Sequence, residues 1–191
     1  HIHFIGIGGI SMSGLAEILL EEGFTVSGSD SRESALTKKL ESEGARIAYG
    51  QKAENITPDI DCVVYTAAIN RANPELIEAV AQKIPMLTRA ELLGQLMTNY
   101  KTPIAVSGTH GKTTTTSMLS HIFHAGDLDP TISVGDILRP IRGNILVCGP
   151  ESFITDSCDS TSSFLHLFPK FILILNDKDV HIDCLIDKVA V

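Results

Sequence analysis

Residues 104–116 read Ile-Ala-Val-Ser-Gly-Thr-His-Gly-Lys-Thr-Thr-Thr-Thr, an apolar strand followed by a glycine turn and the start of a helix. This context is typical of a phosphate-binding loop, because glycines let backbone N–H groups turn towards one anion and the helix N-terminus adds partial positive charge. Lys112 can reach the outer phosphates and a threonine hydroxyl can ligate Mg²⁺. The pattern G-x-x-x-x-G-K-[ST] is incomplete, since Val106 occupies its first glycine position. A Gly/Thr-rich turn is the less favoured alternative.

A second glycine loop lies near the start of the chain, after the apolar stretch 3–7. Residues 6–11 read Gly-Ile-Gly-Gly-Ile-Ser and fit the dinucleotide fingerprint except at Ser11, which replaces the third glycine. Asp30 ends the next predicted strand, where a carboxylate could accept a hydrogen bond from a ribose hydroxyl. The residues alone favour a nucleotide, with NAD the ordinary choice. A solvated turn remains an open alternative for Asp30.

Strands alternate with helices along the chain, which predicts an α/β fold with parallel sheets. We predict a Rossmann-like domain over residues 1–100, with strands at 3–7, 25–30, 46–49, 62–66 and 84–87 and helices at 13–22, 33–43, 73–82 and 90–98. Residues 99–103 break the pattern. A truncated P-loop NTPase-like α/β domain follows over residues 101–191, with strands at 104–106, 131–134, 145–148, 153–155 and 171–175 and one helix at 112–124.

Composition excludes several classes of protein. The chain has 191 residues, 43% of them hydrophobic, and a net charge of −8, so it is globular and has no broad basic surface for nucleic acid. Four cysteines without a C-x-x-C pair fit neither a zinc site nor a disulfide scaffold. With no membrane-length apolar run and no cationic leader, we expect a cytoplasmic protein. Residue 1 is not Met, so we expect part of a longer chain.

Taken together, the two loops resemble those of the Mur ligases of peptidoglycan synthesis. The matching stretches are 3–16, 26–30, 53–55, 68–69, 73–75, 89–91, 107–116, 128–130 and 163–167. The resemblance implies that the first loop binds the diphosphate of a UDP-sugar rather than NAD, and that the second binds ATP. It assigns the UDP-sugar to Gly6, Gly8, Gly9, Ile10, Ser11, Met12, Ser13, Asp30, Thr66, Ala68 and Arg89. It assigns ATP to Gly108, Thr109, His110, Gly111, Lys112, Thr113, Thr114 and Asn176.

The resemblance also implies a reaction through an acyl phosphate. ATP would phosphorylate the muramyl carboxylate, and the amine of L-alanine would attack the mixed anhydride. Lys112 and Mg²⁺ would screen the two anions, with Lys112 and His181 as catalytic residues. The implied metal ligands are Thr113, Asp156 and His181, although a half-exposed loop histidine is the alternative for His181. The family has Glu where this chain has Asp156, which is one methylene shorter.

Within the family, residues 8–13 resemble the members that join L-alanine to UDP-N-acetylmuramate. The expected partners are therefore UDP-N-acetylmuramate, L-alanine and ATP, with no nucleic acid and no membrane. A ligase that recycles a tripeptide onto the same UDP-sugar is the alternative inside the family. A non-catalytic nucleotide-binding module, favoured by Val180 where the family has Asp, and an NAD-dependent oxidoreductase are the alternatives outside it. Gln51, where the family usually has His, is a further departure.

The family has three domains, for the UDP-substrate, for ATP and for the amino acid. The resemblance covers the first and part of the second, so we expect this chain alone not to complete the reaction. The sequence carries no signal for an oligomeric state.

Overall fold

Five parallel strands form the first sheet, in the order β3-β2-β1-β4-β5. The computed structural model describes residues 1–66, 68–138, 143–156 and 166–176. The chain divides into two compact units, His1–Leu92 and Leu93–Val191, and this sheet belongs to the first. Its strands are β1 (Ile2–Ile5), β2 (Val26–Asp30), β3 (Arg46–Tyr49), β4 (Cys62–Tyr65) and β5 (Met86–Thr88).

Helices connect these strands, as a parallel sheet requires. They are α1 (Ile10–Glu21), α2 (Ala35–Ser42) and α3 (Pro74–Ala81), with a short 3-10 turn at Ala53–Asn55 between β3 and β4. A further helix, α4 (Arg89–Thr98), follows β5. Local signals set their starts: Ser34 forms a capping box with Thr37, and the Asn73 side chain accepts from the first-turn N–H groups of α3. α1 buries Leu15, Ile18 and their neighbours in the core of this unit.

The strand order reverses direction at β1, whose neighbours are β2 on one side and β4 on the other. The connections that follow β1 and β4 therefore diverge and leave a crevice at the carboxyl ends of these strands. In open α/β sheets ligands bind at such a switch point. The first loop, residues 6–11, and the segment after β4 border this crevice, and a Cβ built on Gly6 would lie 3.7 Å from Cδ1 of Ile69.

The second unit contains the other sheet, in the order β10-β6-β9-β7-β8. Its strands are β6 (Thr102–Ser107), β7 (Pro130–Leu138), β8 (Gly143–Leu146), β9 (Gly149–Asp156) and β10 (Phe171–Ile174), and α5 (Lys112–Ala125) follows β6. β6 lies between β9 and β10 and is parallel to both. The loop after β6 consequently lies between the carboxyl ends of two other strands.

The predicted α/β fold is confirmed, with differences in detail. α1 begins at Ile10 rather than at residue 13, because the glycine turn ends at Gly9, the N-cap. β9 begins at Gly149, four residues before its prediction. β7 and β8 pair antiparallel, an orientation that the alternation of strands and helices did not predict. Among the described residues, none of the helices is both long and apolar enough to cross a membrane.

Candidate functional site

The second loop, residues 108–114, has a backbone shaped by two glycines. Gly108 has φ +148° and Gly111 has φ +84°, and L side chains rarely adopt either conformation. Gly111 is the N-cap of α5 and carries no side chain over the end of the helix. N–H groups in the first turn of a helix have no intrahelical partner, and the helix dipole places partial positive charge there. This end of α5 is therefore suited to an anion such as a phosphate.

The side chain of Asn176, two residues after β10, holds the second loop by hydrogen bonds. Its Oδ1 accepts from the N–H of Thr109 at 2.8 Å and from the Thr109 hydroxyl at 2.7 Å, while its Nδ2 donates to the carbonyl of His110 at 3.0 Å. Nζ of Lys112 donates to the carbonyl of Gly108 at 2.6 Å, so the ammonium group lies over the loop. The structure thus brings together the residues that the sequence analysis assigned to ATP.

Asp156 lies at the end of β9, only 5% exposed, beside the start of α5. The hydroxyl of Thr113 donates to its Oδ2 at 3.0 Å. Hydroxyl and carboxylate oxygens are ligands that Mg²⁺ prefers, and Mg²⁺ usually takes only one or two protein ligands beside phosphates and waters. These two residues therefore fit a magnesium ion shared with a nucleotide. His181, the third predicted ligand, lies outside the described residues.

In the first loop, residues 6–11, the carboxylate of Asp30 binds the protein's own backbone. Its Oδ2 accepts from the N–H of Gly8 at 2.8 Å, and its Oδ1 accepts from the N–H of Ser31 at 2.7 Å. A Cβ added to Gly8 would lie 2.7 Å from that Oδ2 and 3.0 Å from Cγ2 of Thr37. The geometry gives Asp30 a role in fixing the loop, and any contact with a ribose would be an additional one.

The predicted UDP-sugar residues in the first turn of α1 differ in the exposure of their side chains. Ile10 is 39% exposed, whereas Met12 and Ser13 are almost fully buried, at 1% and 0% exposure. The Ser13 hydroxyl donates to the carbonyl of Ile10 at 2.9 Å. The side chains of Met12 and Ser13 thus belong to the interior of the first unit. A ligand in the crevice could contact these two residues only through their backbone.

A cavity of about 530 Å³ opens at the carboxyl ends of β4 and β5. Of the predicted residues it includes Thr66, whose hydroxyl accepts from the N–H of Ala68 at 3.0 Å. Arg89, at the start of α4, is not among its lining residues. Sequence reasoning missed the rest of the lining, which is largely apolar and consists of Tyr65, Ile69, Arg71, Leu76, Ile77, Val80, Met86 and Thr88.

A buried polar cluster behind the first loop carried no local signal in the sequence. Glu75 is 0% exposed and accepts from the Ser29 hydroxyl at 2.6 Å and from Nδ2 of Asn55 at 2.5 Å. Burial raises the pKa of the Glu75 carboxyl, and the hydrogen bonds from Ser29, Asn55 and the backbone of Lys52 partly offset that shift. Burial also lowers the pKa of His3 to about 4. Its Nε2 lies 3.9 Å from Oε1 of Glu75 and has no hydrogen-bond partner among the described residues.

Comparison with known proteins finds a matching family model and several similar curated proteins. The model of the Mur ligase family, catalytic domain, matches residues 1–101. The UDP-N-acetylmuramate--L-alanine ligases of Agathobacter rectalis and Lachnospira eligens are 63% and 60% identical to it over 183 residues. Each alignment covers 96% of this chain and 40% of the relative. The chain thus spans about 40% of the length of the curated relatives that it matches.

Solved structures with the same fold come from two kinds of ligase. The UDP-N-acetylmuramate-alanine ligase of Thermotoga maritima has a TM-score of 0.81 and 31% identity, and the match covers 99% of this chain and 44% of that one. A UDP-N-acetylmuramate:L-alanyl-gamma-D-glutamyl-meso-diaminopimelate ligase from Neisseria meningitides also has a TM-score of 0.81, with 27% identity, covering 93% of this chain and 61% of that one. Both support the α/β fold described above.

Proposed function

The chain belongs to the Mur ligase family, and from that premise we propose that it is the sugar-nucleotide- and ATP-binding part of an enzyme that joins L-alanine to UDP-N-acetylmuramate in peptidoglycan synthesis. The observation that carries the proposal is the arrangement after β6, where the loop, Lys112, Asn176 and the Thr113–Asp156 pair meet at one edge of the sheet. The names and identities of the curated relatives support the choice of L-alanine.

ATP would bind with its phosphates on the second loop and the N-terminus of α5. Lys112 would exchange its hydrogen bond to the Gly108 carbonyl for one to an outer phosphate, since a lysine side chain is long and flexible. Asn176 would keep Thr109 and His110 in place while the nucleotide binds. Thr113 and Asp156 would hold Mg²⁺, which would supply positive charge to the phosphate oxygens.

The UDP-sugar would bind in the crevice beside the first loop, with its diphosphate at the N-terminus of α1. Asp30 keeps the N–H of Gly8 from turning, so the loop is held in one shape before the ligand arrives. The apolar cavity that includes Thr66 offers space at the same edge of the first sheet for another part of that ligand.

In the proposed reaction an oxygen of the muramyl carboxylate attacks the γ-phosphorus of ATP. A new O–P bond forms, the bond from that phosphorus to the ADP oxygen breaks, and ADP leaves. The amine of L-alanine then attacks the acyl carbon, phosphate leaves and the amine loses a proton. Lys112 contributes by placing positive charge beside two anions that would otherwise repel each other.

A tripeptide-recycling ligase is the second candidate function, favoured by the structural likeness to the Neisseria enzyme. Both candidates use the same UDP-sugar and differ in the amino component. We propose a cytoplasmic location for either ligase. The four cysteines lie far apart in the sequence and do not have the spacing of a disulfide scaffold, which supports a reducing compartment. Assaying the full-length protein with L-alanine and with the tripeptide separates the two candidates, and turnover with L-alanine is expected.

Separate calorimetric titrations of the 191-residue chain with UDP-N-acetylmuramate, with Mg²⁺-ATP and with NADH test the binding part of the proposal. We expect the first two ligands to bind and NADH to give no heat above dilution. Binding of NADH without binding of the UDP-sugar would overturn the assignment of the first loop. Failure of Mg²⁺-ATP to bind would overturn that of the second.

A further inference from the structure

We propose that Glu75 is a positioning residue for the sugar-nucleotide site, because its buried carboxylate fixes the segments that hold the first loop. The proposal rests on the function proposed above for that loop. Glu75 is the second residue of α3, and its side chain accepts hydrogen bonds from Ser29 and Asn55, so it would act through these residues. Its effect would reach the ligand along two chains of hydrogen bonds.

The shorter chain of hydrogen bonds runs through β2. The Ser29 hydroxyl donates to Oε2 of Glu75 at 2.6 Å, and the carbonyl of Ser29 accepts from the N–H groups of Gly6 at 2.8 Å and Ile7 at 3.0 Å. The next residue, Asp30, accepts from the N–H of Gly8. Ser29 and Asp30 therefore bind three successive N–H groups of the first loop. The Glu75 carboxylate fixes the side chain of Ser29.

The longer chain runs through the 3-10 turn and reaches the same place. Nδ2 of Asn55 donates both to Oε1 of Glu75 at 2.5 Å and to the carbonyl of Gly50 at 2.9 Å. The N–H of Gly50 in turn donates to the carbonyl of Asp30 at 2.8 Å. The two chains thus converge on residues 29 and 30 from opposite directions. Removing the Glu75 carboxylate would break both chains of hydrogen bonds at once.

The chemistry of the site favours a positioning role over simple packing. Burying a carboxylate costs free energy unless hydrogen bonds compensate, and an apolar side chain would fill the same space without that cost. Glu75 and Ser29 are 46 residues apart, and Glu75 and Asn55 are 20 apart. A single acceptor group with two oxygens joins these distant segments. Of the titratable groups, His3 faces the carboxylate, with Nε2 at 3.9 Å from Oε1.

The decisive variant is Glu75→Gln, which keeps the size of the side chain and removes its charge. An amide presents one oxygen where the carboxylate presents two, so the donors from Ser29, Asn55 and the backbone of Lys52 must share one oxygen or lose their acceptor. We expect UDP-N-acetylmuramate to bind the 191-residue chain roughly ten- to hundredfold more weakly, and Mg²⁺-ATP to bind as before. Glu78→Gln, the same change one turn along α3, is the matched control and should leave both affinities unchanged.

Hydrogen–deuterium exchange separates this proposal from the function on which it rests. Glu75→Gln should speed exchange at the amides of Gly6, Ile7 and Gly8 and leave the amides of the second unit unchanged. If the wild-type chain does not bind the UDP-sugar, the proposed function fails, and these three amides still decide the role of Glu75. Wild-type exchange together with wild-type affinity would overturn the positioning role. So would an equal loss of affinity for both ligands, because that result indicates general destabilisation.

Two further variants keep the test decisive if Glu75→Gln does not fold. Asn55→Ala removes only the longer chain of hydrogen bonds, from a partly exposed side chain, and should weaken UDP-sugar binding by a smaller factor. Ser29→Ala removes the shorter one. If both bind the UDP-sugar with wild-type affinity, the carboxylate does not act through these residues and the proposal fails.

Discussion

The hydroxyl of Thr113 donates a hydrogen bond to the carboxylate of Asp156 across 3.0 Å, joining the start of α5 to the end of β9. α5 and β9 thus place the Thr113 hydroxyl and the Asp156 carboxylate beside the loop that would hold the phosphates of ATP. Asp156 is 5% exposed, so little water screens its carboxylate and its attraction for a nearby cation is stronger than at the surface. The pair accounts for the magnesium site that we propose and makes it testable one residue at a time.

Changing Asp156 should alter the affinity for Mg²⁺-ATP in opposite directions. Asp156→Asn removes a negative charge and should weaken binding roughly ten- to hundredfold. Asp156→Glu restores the longer side chain that the family resemblance implies and should tighten binding, because Mg²⁺ needs oxygens at about 2.0–2.1 Å. Calorimetry on the wild type and both variants, with thermal melts to confirm folding, measures this. Three equal affinities would remove Asp156 from the site and leave Asp159 as the next candidate, because it is the next carboxylate along the chain; it lies outside the described residues.

Lys112→Ala should abolish most turnover in a full-length enzyme while leaving the fold intact. The side chain lies over the loop, so we expect little loss of stability, but the charge that it brings to the transferred phosphoryl group would be gone. A hundredfold loss of turnover corresponds to about 2.7 kcal/mol, the scale of one lost electrostatic contact in a transition state. Lys101→Ala, at a 74% exposed side chain paired with Glu151, is the control. A Lys112→Ala enzyme that retains a tenth of wild-type turnover would refute the assignment.

The sequence could predict the second loop because its parts are local. Glycines, Lys112 and Thr113 lie within a few residues and follow a strand, so spacing alone indicates the chemistry. Asp156 and Asn176 lie 43 and 67 residues away from their partners Thr113 and Thr109. The family resemblance pointed to both, whereas periodicity could not, because only the order of β9, β6 and β10 brings them to the loop.

The part that the sequence could not predict is the polar interior of the first unit. Glu75 and Asn55 stand in stretches that match the family, yet nothing local indicates that their side chains meet Ser29. Their contact depends on where α3 and the 3-10 turn pack on the sheet, which is a tertiary property. The hydrogen bond from the N–H of Gly8 to Asp30 was not predicted for the same reason. The ribose contact that the spacing of Asp30 indicates stays a prediction.

Gly8→Ala should disrupt the first loop through Asp30. The added Cβ would lie 2.7 Å from a carboxylate oxygen that accepts from the N–H of the same residue, so the oxygen must move and that hydrogen bond must weaken. We expect UDP-N-acetylmuramate binding to fall below detection and Mg²⁺-ATP binding to persist. Gly126→Ala, at φ −92° with the nearest atoms at 3.5 Å, is the control. Unchanged UDP-sugar affinity in Gly8→Ala would place the diphosphate elsewhere.

Gly94→Ala should destabilise the second unit. A Cβ at Gly94 would overlap the carbonyl oxygen of His166, which is backbone and cannot rotate away as a side chain could. Overpacking of this kind costs about 1–3 kcal/mol, and separating the two segments would expose further apolar surface. Urea denaturation, monitored by hydrogen exchange at the β6 amides, measures the loss of unfolding free energy. A wild-type midpoint for Gly94→Ala would show that these two segments are not in contact in solution.

The stability of the first unit should fall as the pH drops from 6.5 to 4 because of His3. Burial lowers its folded-state pKa to about 4, against 6.5 for the exposed side chain. Above pH 6.5 the ring is neutral in both states and has no effect on the pH dependence. Below it the unfolded chain takes up a proton that the folded state refuses, so up to about 3 kcal/mol of stability is lost by pH 4, where the loss levels off.

Two neighbours of His3, Glu75 and His1, set the design of the measurement. The raised pKa of Glu75 acts in the opposite direction, because the folded state takes up its proton first as the pH falls. The ring of His1 shares the hydroxyl of Ser27 with the ring of His3. Comparing wild type with His3→Asn largely isolates the effect of His3, since these two neighbours are present in each protein. Native-state exchange of the Phe4 and Val63 amides gives the unfolding free energy, and the wild type should lose about 3 kcal/mol more than His3→Asn. Parallel pH profiles, or a His3 ring that titrates near pH 6.5 by NMR, would contradict the buried, neutral histidine.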